Sequence, residues 1–247
     1  MRIALLTDVH GNREALAACL DHAVQNGIER YVFLGDLAGY GADPGWVVDT
    51  VMAHVERGAI ALLGNHDAAA LTGDTSNMND VAAAAIAWTA TQLSEGQRAF
   101  IASRPLFVEE EDRLYVHASA YEPDQWHYVT DLYAASRSLM ATQAHATFCG
   151  HTHVPALFHM SLTGKFASFD PVARVEIPLN PQRRWLAVIG SVGQPRDRDP
   201  AACYAVLDDE RYALTYVRVP YDIESAAQKI QAAGLPAILA ARLFEGY

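Results

Sequence analysis

The chain has 247 residues, of which 51% are hydrophobic and 19% charged, and these proportions are typical of a folded globular protein and exclude a disordered one. Its formal net charge of −11 repels nucleic-acid phosphates, which argues against a nucleic-acid partner. The sequence opens on an apolar run of strand length, without a charged leader or a long apolar stretch, and predicts a cytoplasmic protein with no membrane association.

The first part of the chain alternates strand and helix patterns. Short apolar runs predict strands at 3–7, 31–35 and 59–64, and apolar residues at helical spacing predict helices at 13–26 and 45–56. This β-α-β-α-β order favours a parallel sheet with helices on its faces. Capping signals at Asn79, and at Ser94 with Gln97, predict two further helices.

From about residue 105 the pattern changes to short strands separated by turns, with one helix near 131–143. The predicted strands are LFVEE, RLYVHA, ATFCG, ALFHM, ARVEI, RWLAVIG, CYAVLD and YALTYVRV. Residues 222–244 predict two C-terminal helices, broken at Gly234 and Pro236. Since no segment resembles a linker, we expect a single α/β domain over 1–247, with two sheets packed together and helices outside.

Polar residues follow five of the predicted strands at the point where each strand ends. They are Asp8 and His10, then Asp36, then Asn65 and His66, then His117, and finally His151 and His153. The carboxyl ends of strands form the edge on which open α/β sheets build their sites. Nitrogen and oxygen ligands in this number exceed what one tetrahedral ion uses, so we predict two metal ions that share a carboxylate, Asp36.

Each of these residues also has a structural explanation when it is taken alone. Asp8 could form a turn, Asp36 and Asn65 could cap helices, and His117 could be a hydrogen-bonded core histidine. Their recurrence at five strand ends, beside glycines, favours a ligand set over separate coincidences.

The motifs TDVHGN, GDLAGYG, GNHD, YVHAS and GHTH, which occur in this order over residues 7–153, resemble the calcineurin-like metallophosphoesterase superfamily, in particular its small bacterial and archaeal phosphodiesterase-like branch. GSVGQPRD, at 190–197, resembles a further segment of that family. The resemblance implies a four-layer α/β/β/α sandwich with a site for two divalent ions: manganese, iron, zinc or nickel. It implies that Asp8, His10, Asp36 and His153 bind one ion and that Asp36, Asn65, His117 and His151 bind the other.

The resemblance also implies the reaction. A hydroxide that bridges the two ions attacks phosphorus, and a small phosphate ester is hydrolysed without a protein nucleophile. Asp36 and His66 are the implied catalytic residues, and His66 is the candidate to protonate the leaving group. The alternative for His66 is a hydrogen bond that supports the loop.

One motif departs from its relatives. Protein serine/threonine phosphatases and symmetrical diadenosine tetraphosphatases carry GDxxDRG, whose arginine binds phosphate and whose second aspartate supports the histidine of GNH. Here Gly39 and Tyr40 stand at those two positions. We therefore predict a preference for phosphodiesters, with a phosphomonoesterase or a protein or nucleotide phosphatase as the alternative.

Two functions from other classes fit the motifs less well. A non-catalytic scaffold with this fold would lack ligand histidines, whereas all seven ligand positions are filled here. An amidohydrolase would carry HxH after its first strand and form a barrel, whereas this chain opens with DxH and has HTH late.

The sequence leaves two features with alternative interpretations. The four residues Arg183, Arg184, Arg196 and Arg198 form a basic cluster, which is either a solvated loop face or a site for an anionic substrate. His127, with Trp126, either lines the substrate entrance or covers a sheet edge. No pattern predicts the oligomeric state.

Overall fold

A computed structural model describes residues 1–247. The strands are β1 Arg2–Leu6, β2 Arg30–Phe33, β3 Ile60–Ala61, β4 Phe107–Glu110, β5 Arg113–Val116, β6 Ala146–Cys149, β7 Ala156–Ser161, β8 Phe166–Phe169, β9 Glu176–Pro178, β10 Arg183–Val188, β11 Ala202–Asp208 and β12 Ala213–Val219. The helices are α1 Arg13–Gln25, α2 Pro44–Val55, α3 Asn65–Thr72, α4 Asp80–Gln92, α5 Glu95–Ala102, α6 Leu132–Met140, α7 Ile223–Ala232 and α8 Ala237–Glu245.

The strands form two mixed sheets of six strands each. The first has the order β3-β2-β1-β11-β12-β9 and the second has the order β4-β5-β6-β10-β7-β8. In the first sheet β1, β2 and β3 are parallel, which confirms the predicted β-α-β-α-β opening. In the second sheet β5, β6 and β10 are parallel. The two parallel groups bring the ends of β1, β2, β3, β5 and β6 to the site.

The order of the layers follows from what each face of a strand packs against. On β1, Ile3 and Leu5 pack between the two sheets, while Ala4 and Leu6 pack with residues of α1 and α2. On the second sheet, Leu186 of β10 packs in one apolar cluster with Leu139 of α6. The order is therefore helix, sheet, sheet, helix, and the predicted α/β/β/α sandwich is confirmed.

Three elements differ from the sequence prediction. The third strand is only Ile60–Ala61, and the helix Asn65–Thr72 was not predicted, because its first residues belong to a polar loop motif. The strand Phe166–Phe169 was also missed; it is an edge strand, formed by antiparallel pairing with β7, and two of its residues are partly buried and two exposed.

The C-terminal region forms two helices, α7 and α8, on either side of Gly234 and Pro236. Pro236 is the N-cap of α8. The organisation of 1–247 as a single domain stays a prediction. None of the helices has both the length and the apolar character that crossing a membrane requires.

Candidate metal centre

The residues predicted as ligands lie where the chain turns sharply away from its strands. Backbone hydrogen bonds join the loops: Asp8 N–H donates to the Gly35 carbonyl at 3.1 Å, and His10 N–H donates to the Asp36 carbonyl at 2.9 Å. Left-handed backbone conformations, with φ from 50° to 67°, occur at Asp8, His10, Asp36, His151 and His153. Residues other than glycine rarely adopt this conformation, and it is often retained at functional sites.

The folded chain brings all the predicted ligands together. Donor atoms within 4.8 Å of one another form three buried groups: Asp8, His10 and His153; His10, Asp36 and His66; and Asp36, His117 and His151. The remaining predicted ligand, Asn65, has its Oδ1 atom 3.2 Å from Nε2 of His117. Asp36 and His10 each belong to two of the groups, and Asp36 is the only carboxylate that does. We call the seven predicted ligands together the ligand cluster.

Several donor atoms of the ligand cluster have no partner within the protein. Oδ1 of Asp8, Oδ2 of Asp36 and Nε2 of His151 are buried and make no hydrogen bond, although the two carboxylate oxygens face imidazole nitrogens, Nε2 of His153 at 3.2 Å and Nε2 of His117 at 3.4 Å. Nε2 of His10 lies 3.1 Å from Nε2 of His153. Unpaired buried carboxylate and imidazole atoms are costly unless they bind a cation. Imidazole, carboxylate and amide donors suit divalent manganese, iron, zinc or nickel, so the residues present fit the metal ions implied by the sequence.

The backbone orients the imidazole rings. Three carbonyl groups accept hydrogen bonds from Nδ1 of His10, His117 and His153: those of Ala38, Leu34 and Gln194, at 3.1, 2.9 and 2.7 Å. A carbonyl oxygen only accepts, so each Nδ1 carries a proton, and Nε2 is the ring atom of each that could bind a metal ion.

Each aspartate of the cluster has one oxygen held by the protein and one left free. Oδ2 of Asp8 accepts from Thr7 Oγ1 at 2.8 Å and from His151 N–H at 2.9 Å. Oδ1 of Asp36 accepts from His66 N–H at 2.8 Å. Burial raises the pKa of both carboxyls, but the neighbouring imidazoles, chiefly His153 and His117, outweigh it, and both pKa values lie below the ordinary range.

His66 lies beside the cluster with a free ring nitrogen. Its Nδ1 atom is buried without a partner, and its pKa is lowered to about 4 by burial, against the opposing charge of Asp36. In relatives with GDxxDRG, the second aspartate supports this histidine. Here Gly39 stands at that position, and no other group forms a hydrogen bond with Nδ1 of His66. Gly39, at φ +92°, leaves room for the ring, since a Cβ atom there would lie 2.7 Å from Nδ1 of His66.

Asp67 is a structural residue of the site that was not predicted. Its buried carboxylate accepts from the backbone N–H groups of Leu37, Ala38 and Gly64 at 3.2, 3.0 and 3.1 Å, which ties the loop after β2 to the loop after β3. Burial, together with the charge of Asp36, raises the pKa of Asp67 to about 7. The available signal was its position three residues after the helix-capping Gly64.

A cavity of about 440 Å³ opens beside Asn65 and His151. The loop after β5 contributes Trp126, His127 and Tyr128 to its lining, and the role of Trp126 and His127 at a substrate entrance stays a prediction. Tyr128, which was not predicted, stacks on His151 with ring centroids 4.0 Å apart. The remaining lining comes from α3 and the loop that follows it.

The prediction of one cluster of four arginines is wrong. Arg183 and Arg184 begin β10, which runs parallel to β6, so they lie at the opposite sheet edge from His151. Six residues of strand separate the two edges by roughly 20 Å. Arg198 packs over Tyr247 instead, with its guanidinium carbon 5.3 Å from the ring centroid.

Arg196 alone of the four lies beside the ligand cluster. Its guanidinium donates to Gln194 Oε1 at 2.9 Å and to the Tyr40 hydroxyl at 3.4 Å. The ring centroid of Tyr40 lies 4.6 Å from that of His10 and 4.5 Å from that of His66. Tyr40 thus contacts Arg196 and both of these imidazoles.

Comparison with known proteins agrees with this geometry. Residues 1–211 match the model of the calcineurin-like phosphoesterase superfamily domain. An uncharacterised protein from Methanocaldococcus jannaschii is 33% identical over 249 residues, covering 99% of this chain and 98% of that protein.

Two solved structures are similar over the whole chain. A metallophosphoesterase from Sphaerobacter thermophilus has a TM-score of 0.88 and 33% identity, covering 100% of this chain and 99% of that one. A hypothetical protein from Pyrococcus horikoshii has a TM-score of 0.79 and 18% identity, covering 100% and 98% of the two chains. At that lower identity the likeness shows the fold alone.

Proposed function

Because the chain belongs to the calcineurin-like phosphoesterase superfamily, we propose that it is a metal-dependent phosphodiesterase acting on small phosphate esters. The family resemblance predicted from the motifs is confirmed. The observation that carries the proposal is the set of buried donor atoms without partners, Oδ1 of Asp8, Oδ2 of Asp36 and Nε2 of His151, within a cluster of imidazoles.

We assign two divalent ions to this cluster. Asp8, His10, Asp36 and His153 would hold one ion, and Asp36, Asn65, His117 and His151 would hold the other. When bound, the two ions supply Lewis acidity, an activated water at neutral pH and neutralisation of the phosphate charge. The backbone carbonyls and N–H groups that hold His10, His117, Asp8 and Asp36 fix the donor directions before any ion binds.

His66 is the proposed proton donor to the leaving oxygen, a role that requires a bound anionic phosphate to raise its pKa from the value of about 4 to which burial lowers it. Its backbone N–H supports Asp36, but Nδ1 of its ring has no partner, and this favours a ring that serves the substrate over one that holds the loop. The ring of His66 lies beside that of His10, with centroids 4.8 Å apart, and is therefore next to the residues that would bind the ions. The leaving group therefore lies on the His10 side of the cluster.

Two features favour a diester over a monoester. Tyr40 stands where related phosphatases have a phosphate-binding arginine, and a diester carries less charge than a monoester dianion. The cavity of about 440 Å³ beside Asn65 and His151 offers space for the second organic group that only a diester has. The cytoplasmic location and the absence of a nucleic-acid partner stay predictions from the sequence.

The test combines metal analysis with paired assays. The purified protein is loaded with manganese, iron, zinc or nickel, and turnover is measured on 4-nitrophenyl phosphate and bis(4-nitrophenyl) phosphate, which share a leaving group. We expect two ions per chain and a higher kcat/KM on the diester. A monoester preference that disappears in Arg196→Ala would contradict the diester assignment, and no turnover with any of the metals would contradict the phosphoesterase assignment.

A further inference from the structure

Two arginines from distant parts of the chain converge on one amide oxygen beside the ligand cluster. Arg196, in the loop after β10, donates to Gln194 Oε1 at 2.9 Å, and Arg242, in the last turn of α8, donates to the same atom at 3.2 Å. Gln194 is 2% exposed, and its backbone carbonyl accepts the hydrogen bond from Nδ1 of His153. The arginine pair is thus joined through one residue to a ligand of the cluster.

No carboxylate compensates the two positive charges. Elsewhere in the chain Arg30 pairs with Glu110, Arg113 with Asp209 and Arg218 with Asp197. Arg196 and Arg242 form no such ion pair, and the Nε atom of each is buried without a hydrogen-bond partner. Burial, and next the charge of Arg196, lowers the pKa of Arg242. Two partly buried cations that share a neutral oxygen leave several donors for an anion.

The pair is held in position by the loop and the helix that carry it. Arg196 N–H donates to the His153 carbonyl at 3.2 Å, and Arg198 N–H donates to the Gly246 carbonyl at 2.8 Å, which fixes the loop to the end of α8. Arg218 binds Asp197 in the same loop. Leu239 and Leu243 of α8 belong to the same apolar cluster as Tyr40. An anion that binds here needs little ordering of the protein.

The place of the pair in the site indicates what it binds. Its guanidinium groups bond to Tyr40 and Gln194 rather than to a donor atom of the ligand cluster, so they lie one side chain away from the proposed ions. They are on the side of His10 and His66, whereas the cavity lies on the side of Asn65 and His151. An anion at the pair is therefore next to the scissile phosphate, on the side of the proposed proton donor.

We propose that Arg196 and Arg242 bind a second anionic group of the substrate, a phosphate that forms all or part of the leaving group. This inference rests on the proposed function, since it takes His66 as the proton donor. It makes the C-terminal helix α8, which lies beyond the family match at 1–211, a source of substrate specificity. The preferred substrate is thus an ester or anhydride with two neighbouring phosphates, of which one is bound by the ions and the other by the arginines.

The experiment measures binding and does not depend on turnover. Metal-loaded wild type is titrated calorimetrically with inorganic phosphate and with methylenediphosphonate, which carries two anionic groups joined by one carbon. We expect the diphosphonate to bind about tenfold more tightly, because the second group gains charge-assisted hydrogen bonds. In Arg242→Gln and Arg196→Gln the ratio of the two dissociation constants should fall to near one.

Matched variants separate a binding role from a structural one. Arg242→Lys keeps the charge and should retain part of the diphosphonate advantage, and Arg198→Gln, in the same loop but packed over Tyr247, should retain all of it. Melting temperatures of every variant establish that each is folded. An undiminished ratio in folded Arg242→Gln would overturn the proposal, and so would an equal loss in Arg198→Gln.

The same preparations keep this inference distinct from the proposed function. Metal content and turnover of bis(4-nitrophenyl) phosphate are measured beside the titrations. Normal turnover with an unchanged ratio in Arg242→Gln removes the arginine subsite and leaves the phosphodiesterase assignment intact. Absence of turnover in wild type removes the phosphodiesterase assignment, while the titrations still decide whether the pair binds a second anionic group.

Discussion

The two sides of the ligand cluster offer a substrate different chemistry. On the His151 side, an open cavity is lined by Trp126, His127 and Tyr128, and Tyr128 is 54% exposed. On the His10 side, Tyr40 is 7% exposed and Arg196 meets Arg242. One side thus offers space and aromatic surface, and the other offers charge in a fixed position. An asymmetric site of this kind orients an asymmetric ester.

The supports of the two sides differ as well. The His10 side is held by α8 and by the loop after β10, which hydrogen bond to each other through Arg198 and Gly246. The His151 side is a surface loop with left-handed residues at Glu122 and Trp126 around a short 3₁₀ turn. Loops carried by a rigid scaffold tolerate more variation than packed elements. We therefore expect recognition of the organic group to change more readily among relatives than recognition of charge.

The largest expected effect concerns Asp36, which serves both sides. Asp36→Asn removes the only carboxylate shared between the two proposed ion positions. We expect bound metal to fall below two ions per chain, as measured by elemental analysis, and turnover of every ester to fall to background. The side chains have the same shape, so the fold should survive, as circular dichroism would show.

The matched control for this variant is His54→Ala. His54 packs against Tyr31, with ring centroids 4.6 Å apart, in the apolar layer between the first sheet and its helices. It should leave the metal stoichiometry unchanged. Wild-type metal content and rate in Asp36→Asn would show that this carboxylate is not shared by two metal ions.

The second prediction asks on which side the leaving group lies. If His66 protonates the leaving oxygen, His66→Ala should slow esters of alcohols by about 100-fold or more and nitrophenyl esters far less, because a good leaving group needs no proton. The comparison uses kcat for an alkyl and a nitrophenyl diester with the same second group. An equal loss on both would make His66 a supporting residue and leave the leaving group's side unassigned.

The ligand cluster could be predicted from the sequence because each member directly follows a strand. Parallel strands bring their carboxyl ends to one edge of each sheet, and the packing of the two sheets aligns these edges, so residues as distant as Asp8 and His153 meet. The sandwich followed from the change of pattern near residue 105, and the structure confirms it. The assignment of each ligand to a particular ion stays a prediction.

The two sides of the site could not be predicted in the same way. Arg183 and Arg196 are close in sequence, but β10 lies between them and separates them. Arg242 has no motif around it, and only the packing of α8 on Tyr40 brings it to Gln194. Tyr128 likewise reaches His151 through a loop whose course depends on tertiary contacts. The positions of polar residues on helices and long loops cannot be predicted in this way, because these residues do not follow a strand of the sheet.

The third prediction concerns the aromatic side. Trp126→Ala should raise KM for diesters with a large aromatic second group by roughly fivefold, since an aromatic contact contributes about 1 kcal/mol. Methyl diesters, which do not reach the cavity wall, should be almost unaffected. Tyr133→Ala is the control, because Tyr133 is a 72% exposed aromatic residue on α6 outside the cavity lining. An equal change in KM for both esters would show that Trp126 supports the loop rather than the substrate.

The smallest expected effect tests how the charged side is held. Tyr40→Phe keeps the ring between His10 and His66 but removes the hydroxyl that accepts from Arg196 at 3.4 Å. That bond is long, and Arg196 keeps its 2.9 Å bond to Gln194, so methylenediphosphonate should bind only about two- to threefold more weakly, with metal content unchanged. Calorimetry on Tyr40→Phe and Arg196→Gln side by side measures the difference. A loss in Tyr40→Phe as large as that in Arg196→Gln would mean that the tyrosine hydroxyl, and not Gln194, positions the guanidinium.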